Sequence, residues 1–123
     1  MPAANVRYIV DDVDRALEFY GRLGFAVLNR PAPEFAMLAR GELGLLLSVP
    51  GVGGGGQAMP DGRLPEPGGW NRMQIVVEKL DDAVAELRAA GVRFRNDVVE
   101  GRGGRQILAE DPAGNPVELF QPA

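Results

Sequence analysis

The chain carries an internal copy of itself. Val6 to Phe25 lies over Met73 to Val92 without a gap, at an offset of 67 residues. Val6, Tyr8 and Val10 fall on Met73, Ile75 and Val77; Val13, Asp14, Ala16 and Leu17 fall on Leu80, Asp81, Ala83 and Val84; Gly24 falls on Gly91. Such a repeat constrains the fold before any single residue is considered. Each copy opens on alternating residues, passes through an acidic start into helical periodicity, and stops at a glycine, which spells strand, helix and helix end. In the second helix Leu80, Val84 and Leu87 recur at i, i+4 and i+7 while Asp81, Glu86 and Arg88 take the outer face, leaving one apolar stripe to pack on a sheet.

Three β-like runs follow each glycine: Phe25 to Leu28, Phe35 to Ala39 and Leu43 to Val49, then Val92 to Val99, Arg105 to Glu110 and Pro116 to Gln121. Each half therefore reads β-α-β-β-β, and the fold class is α+β. A first module at about residues 4–50 and a second at about 70–123 make one domain over residues 1–123. Asp111-Pro112-Ala113-Gly114-Asn115 is a tight reversal between the last two strands. Residues 51–69 include Gly53 to Gly56 in an unbroken row and have little hydrophobic periodicity; they read as a linker or a lid. No Lys-Ser or Lys-Thr follows the glycine row, so it is not a phosphate loop, and flexibility is the role expected of it.

Composition removes several chemistries. With no cysteine there is no disulfide, thiolate ligand or cysteine nucleophile. With no histidine, transition-metal sites lose their commonest nitrogen ligand. The balance of 13 basic and 17 acidic residues disfavours nucleic acid as a partner. Apolar residues are 46% of the chain, yet no run is long enough for a membrane span and no signal peptide opens it, so a cytoplasmic location is expected. A chain of this length can bury roughly two-thirds of its unfolded surface, enough for a real core. Twelve arginines against the single Lys79, with abundant Ala, Gly and Pro, suggest a GC-rich bacterial genome.

The paired modules, the helix start Asp12-Val13-Asp14-Arg15-Ala16, Phe19-Tyr20 followed by Leu23-Gly24-Phe25, and the closing Asp111-Pro112-Ala113-Gly114-Asn115-Pro116-Val117-Glu118-Leu119-Phe120 resemble the vicinal oxygen chelate superfamily. That group holds glyoxalases, extradiol dioxygenases, fosfomycin-inactivating enzymes and bleomycin-resistance binding proteins. The resemblance covers nearly the whole chain and implies a curved mixed sheet around a cleft. In the metal-dependent members, ligands come from the first and last strands of each module. Here those positions fall on Asn5, Arg72, Leu46 and Glu118, and only Glu118 is a plausible ligand. Neither a metal nor any other cofactor is expected, because transition-metal sites need three or four suitable donors.

Strand alternation puts Asn5, Arg7 and Ile9 on the cavity side if Val6, Tyr8 and Val10 lie under the helix; Arg72, Gln74 and Val76 follow by the repeat. The last strands add Leu46, Ser48, Glu118 and Phe120. Arg72 is expected to pair with Glu118 across the pseudo-twofold axis, since an isolated carboxylate in a cleft is costly. Glu118 then either touches a ligand or is a structural or solvated acid, and Arg72 divides the same way. Trp70, the single tryptophan, either covers the cavity and stacks on a flat ligand or plugs a core or dimer interface. Phe35 has the same alternatives, whereas Phe19, Tyr20 and Phe25 belong to the core.

Two functions follow. By its likeness to bleomycin-resistance proteins, the chain is a homodimeric, metal-independent binding protein that sequesters an antibiotic or natural product, with an acidic balance and aromatic residues suited to a cationic or polyaromatic ligand. Its ligand contacts would come from Asn5, Arg7, Phe35, Leu46, Ser48, Trp70, Arg72, Gln74, Glu118 and Phe120. The alternative is a lyase, isomerase or transferase with Glu118 as general base and Arg72 and Asn5 stabilising a developing enolate or binding a carboxylate. A paired guanidinium holds a carboxylate in its ionised form and makes it a poorer proton acceptor, which favours binding over catalysis.

Overall fold

The computed structural model describes residues 4–123. The chain forms two compact units, one running to Gly68 and the other from Gly69 to Ala123. The first contains β1 (Ala4–Ile9), α1 (Val13–Arg22), β2 (Ala26–Ala32), β3 (Phe35–Arg40) and β4 (Leu43–Ser48). The second contains β5 (Gln74–Val76), α2 (Leu80–Ala89), β6 (Arg93–Phe94), β7 (Val99–Glu100), β8 (Gly104–Glu110) and β9 (Pro116–Pro122). The first sheet has the order β1-β4-β3-β2 and the second β5-β9-β8-β6, with β7 also paired to β8. In both, the first strand of the module lies parallel to the last, and the remaining pairs are antiparallel. The mixed α+β architecture and the repeat therefore agree with the sequence.

One strand departs from the expected pattern. Val92 to Val99 is not continuous: β6 ends at Phe94 and β7 starts at Val99. Asn96 lies in the gap and its Oδ1 accepts the Leu108 N–H at 2.9 Å, taking a donor that a ladder partner would otherwise use.

The helices show why the two copies fold alike from different residues. Asp12 caps α1 by accepting the Arg15 N–H at 3.1 Å, and Gly24, at φ 91°, ends it. At the equivalent start of α2 stands Lys79, which makes no side-chain cap. Gln121, from the far end of β9, supplies the acceptor: its Oε1 takes the Leu80 N–H at 2.8 Å.

Each helix buries its apolar stripe on one face of its own sheet. In the first unit Val13, Ala16, Phe19 and Tyr20 meet Tyr8, Ala36, Leu38, Leu45 and Leu47, all buried. Tyr20 is fully enclosed and makes edge-to-face contacts with Phe19, Phe25 and Tyr8 at 4.9, 5.8 and 6.1 Å between ring centroids. Each such pair contributes about 0.5–1.5 kcal/mol beyond area burial, and truncating a buried ring of this size costs about 3–5 kcal/mol. In the second unit Leu80, Val84 and Leu87 are buried with Met73, Ile75, Ile107, Ala109, Val117 and Leu119.

The last hairpin turns on Asp111. Its buried carboxylate accepts the backbone N–H groups of Ala113 and Asn115 and the Asn115 amide, each at 2.9 Å. Gly114 adopts φ 91° at the tip, a conformation that residues with a Cβ rarely take.

Candidate functional site

Strand register decides which side chains share the sheet faces turned away from the helices. In the first unit Arg7 stands beside Leu46, and Leu46 beside Met37; the next rung holds Ile9, Ser48 and Phe35. Asn5 is in register with Gly44 and its side chain lies against that glycine. Asn5, Arg7, Phe35, Leu46 and Ser48 thus occupy one face, as expected. The Arg7 guanidinium lies 6.0 Å from the centroid of the Phe35 ring.

In the second unit Gln74 stands beside Glu118 and Val76 beside Phe120. Glu118 is only 7% exposed, and both of its oxygens are engaged. Oε1 accepts Nε and Nη2 of Arg72 at 3.1 and 3.0 Å; Oε2 accepts the Gln74 amide at 2.6 Å. The Arg72–Glu118 contact is present, but it does not run across a pseudo-twofold axis. Both residues belong to the second unit, where β5 lies parallel and in register with β9, so Arg72 precedes the strand that borders Glu118.

Trp70 is 69% exposed, which removes the reading of a core plug. It follows Gly68 and Gly69, both at positive φ, and leaves the second unit's apolar interior to smaller side chains. Its ring is nevertheless held: the Arg95 guanidinium stacks over it at 4.7 Å. Arg95 itself is fixed by Glu110 at 2.9 Å, the Gly69 carbonyl at 2.7 Å and the Gly114 carbonyl at 2.9 Å. Arg95 was not singled out by sequence reasoning. Its only local signal is a long cation beside a broken strand.

A further cavity in the second unit, about 410 Å³, is lined by Arg88, Val92, Phe94, Arg95, Asn96 and Asp97. None of the expected site residues lines it.

The residues at the four positions that carry metal ligands in related proteins do not fit a metal ion. Leu46 has no donor atom, Arg72 brings a positive charge, and the Glu118 lone pairs already receive Arg72 and Gln74. Among the described residues, no three His, Cys, Asp or Glu side chains are grouped to hold a metal.

The sequence profile of the Glyoxalase/Bleomycin resistance protein/Dioxygenase superfamily matches residues 3–119. The chain belongs to this superfamily. A superfamily member of known structure from Sphaerobacter thermophilus is 27% identical, with a TM-score of 0.74 over 98% of this chain and 97% of that one. TnmS3, an antibiotic binding protein from Streptomyces sp. CB03234, is 25% identical, with a TM-score of 0.71 over 97% of this chain and 93% of that one. A lactoylglutathione lyase from Agrobacterium tumefaciens shares the superfamily fold at 22% identity, with a TM-score of 0.69 over 98% and 94% of the two chains. No curated protein matches the chain. Among the described residues no helix is long and apolar enough to cross a membrane.

Proposed function

We propose that this superfamily member is a metal-independent binding protein that sequesters a small molecule, an antibiotic or natural product, in the cytoplasm and as a homodimer. The observation that carries the reading is the closed Arg72–Glu118–Gln74 network. The one carboxylate at a ligand position is saturated by donors from its own unit, which leaves neither of its oxygens open to a metal or to a substrate proton. The likeness to an antibiotic binding protein agrees with this, and the exposed, stacked Trp70 ring offers a flat platform of the kind that holds polyaromatic ligands. Because Glu118 is already neutralised by Arg72, this face supports a polyaromatic ligand better than a cationic one.

Native mass spectrometry tests the reading directly. The protein is measured alone, with divalent metals, and with a panel of polyaromatic and cationic antibiotics. A metal-free dimer that takes up drug supports sequestration. Stoichiometric metal uptake, or turnover of a glyoxalase-type substrate that is lost in Glu118→Gln, overturns it in favour of a lyase, isomerase or transferase.

A further inference from the structure

In the first unit a cation and a hydroxyl share one place on the sheet, and neither is spent. Arg7 makes no side-chain hydrogen bond or ion pair among the described residues; its guanidinium lies over the Phe35 ring and against the Gly55 backbone. Ser48, at the end of β4, is 3% exposed and its Oγ has no hydrogen-bond partner among the described residues. Buried polar atoms in folded proteins are nearly always paired, so an orphan hydroxyl beside a free guanidinium calls for a physical cause.

Gly55 brings the two together. A Cβ at that position would overlap the Arg7 guanidinium and stand 2.7 Å from Ser48 Oγ. Gly55 is therefore more than slack chain: its backbone is packed on Arg7 and Ser48 because it carries no side chain.

The repeat shows what is missing. Arg7 corresponds to Gln74 and Leu46 to Glu118, and the register sets Arg7 beside Leu46 as it sets Gln74 beside Glu118. The second unit supplies its donors with a carboxylate of its own. The first presents donors on the same platform with a leucine where the carboxylate would stand.

We infer that Arg7 and Ser48, beneath Gly55, form an oxyanion subsite that receives a carboxylate or phosphoryl group of a small ligand. The guanidinium offers a planar fork of N–H donors and Ser48 one O–H. Because Ser48 Oγ is covered, Gly55 moves aside as the anion enters, and the open glycines before it, Gly53 and Gly54, give the main chain that freedom. The inference builds on the binding reading above by naming the chemistry of one end of the ligand, and it is read out separately.

The test is nuclear magnetic resonance on the full chain with labelled nitrogen, following the Arg7 Nε–H and Gly55 amide signals. Benzoate and inorganic phosphate are titrated in parallel at constant chloride-balanced ionic strength. Saturable shifts at both signals are expected with at least one probe; benzoate alone points to a carboxylate, phosphate alone to a phosphoryl group. Arg7→Gln is expected to weaken binding about tenfold or more, as the loss of a charge-assisted hydrogen bond does. Ser48→Ala weakens it less and leaves the melting temperature unchanged or raised, since the hydroxyl it removes has no partner. No saturation by either probe, equal saturation in Arg7→Gln, or a lowered melting temperature in Ser48→Ala would each overturn the subsite. Drug uptake with a silent Arg7 removes this inference alone; oxyanion saturation without drug uptake removes the sequestration reading alone.

Discussion

Arg72 places two nitrogens, Nε at 3.1 Å and Nη2 at 3.0 Å, on a single oxygen of Glu118, and Gln74 takes the other. The carboxylate is buried and the guanidinium half-open to solvent, with side-chain exposures of 9% and 30%. A pair so placed is held by what each partner leaves unsatisfied when the other is removed.

A double-mutant cycle of Glu118→Gln and Arg72→Gln measures that coupling by chemical denaturation. About 1–2 kcal/mol of interaction energy is expected, above the range of exposed pairs and below that of fully buried ones. Additive effects of the two substitutions would mean that the contact contributes nothing to the fold.

The Gln121 cap makes a long-range prediction. Gln121→Ala removes the acceptor for the Leu80 N–H and is expected to destabilise the chain by about 1 kcal/mol, read from the denaturation midpoint. Replacing Lys79 by Asp in the same background caps N–H groups further into the first turn and leaves the Leu80 N–H open, so it is expected to restore only part of the loss. An unchanged midpoint in Gln121→Ala would mean that the Leu80 contact contributes nothing to stability.

That cap also shows where the sequence stops being informative. The repeat and the strand faces follow from periodicity, because alternation along β5 and β9 decides which side chains are neighbours. The Arg72–Glu118 contact is expected from the resemblance instead, and it lies within one unit rather than across the two. Gln121 capping α2, Arg95 under Trp70 and Gly55 against Arg7 depend on where distant segments meet. No local pattern encodes those meetings. Val92 to Val99 misled for a related reason: its composition suits a strand, and one Asn side chain interrupts the ladder.

Asp111 carries the last hairpin through three donors on a buried carboxylate. Asp111→Ala strands those donors and is expected to cost about 3 kcal/mol or more, measured by thermal or urea unfolding. Asp111→Asn keeps one carbonyl acceptor and should cost less.

Asp81 gives a pH prediction. The Arg105 guanidinium hydrogen-bonds to its carboxylate, and this bond, then the charge itself, lowers its pKa below the ordinary aspartate value. Because the folded value is the depressed one, any stability the pair provides is present above the unfolded aspartate pKa and fades as pH falls through the folded value. Carbon-detected titration should show a low Asp81 midpoint that moves up towards the ordinary value in Arg105→Gln. An unchanged midpoint would remove Arg105 as the cause.

Trp70 supplies an optical probe of the binding reading. It is the single tryptophan, the residue is 69% exposed, and Arg95 stacks on one face of its ring. The free protein is therefore expected to emit at the wavelength of a solvated indole. A polyaromatic ligand that stacks on the open face would exclude water from the ring, quenching the emission or moving it to shorter wavelength. Trp70→Ala, assayed by calorimetry because it lacks the probe, should then weaken ligand binding about tenfold, the loss of one well-placed aromatic contact. Arg95→Ala leaves the indole in place but removes the cation that fixes it, so it should weaken binding by a smaller factor while the emission of the free protein stays that of a solvated ring. If ligand binds with unchanged emission and unchanged affinity in Trp70→Ala, the ring stands outside the groove. It would then be open to contact with a second copy, and concentration-dependent emission at constant ligand would show that contact.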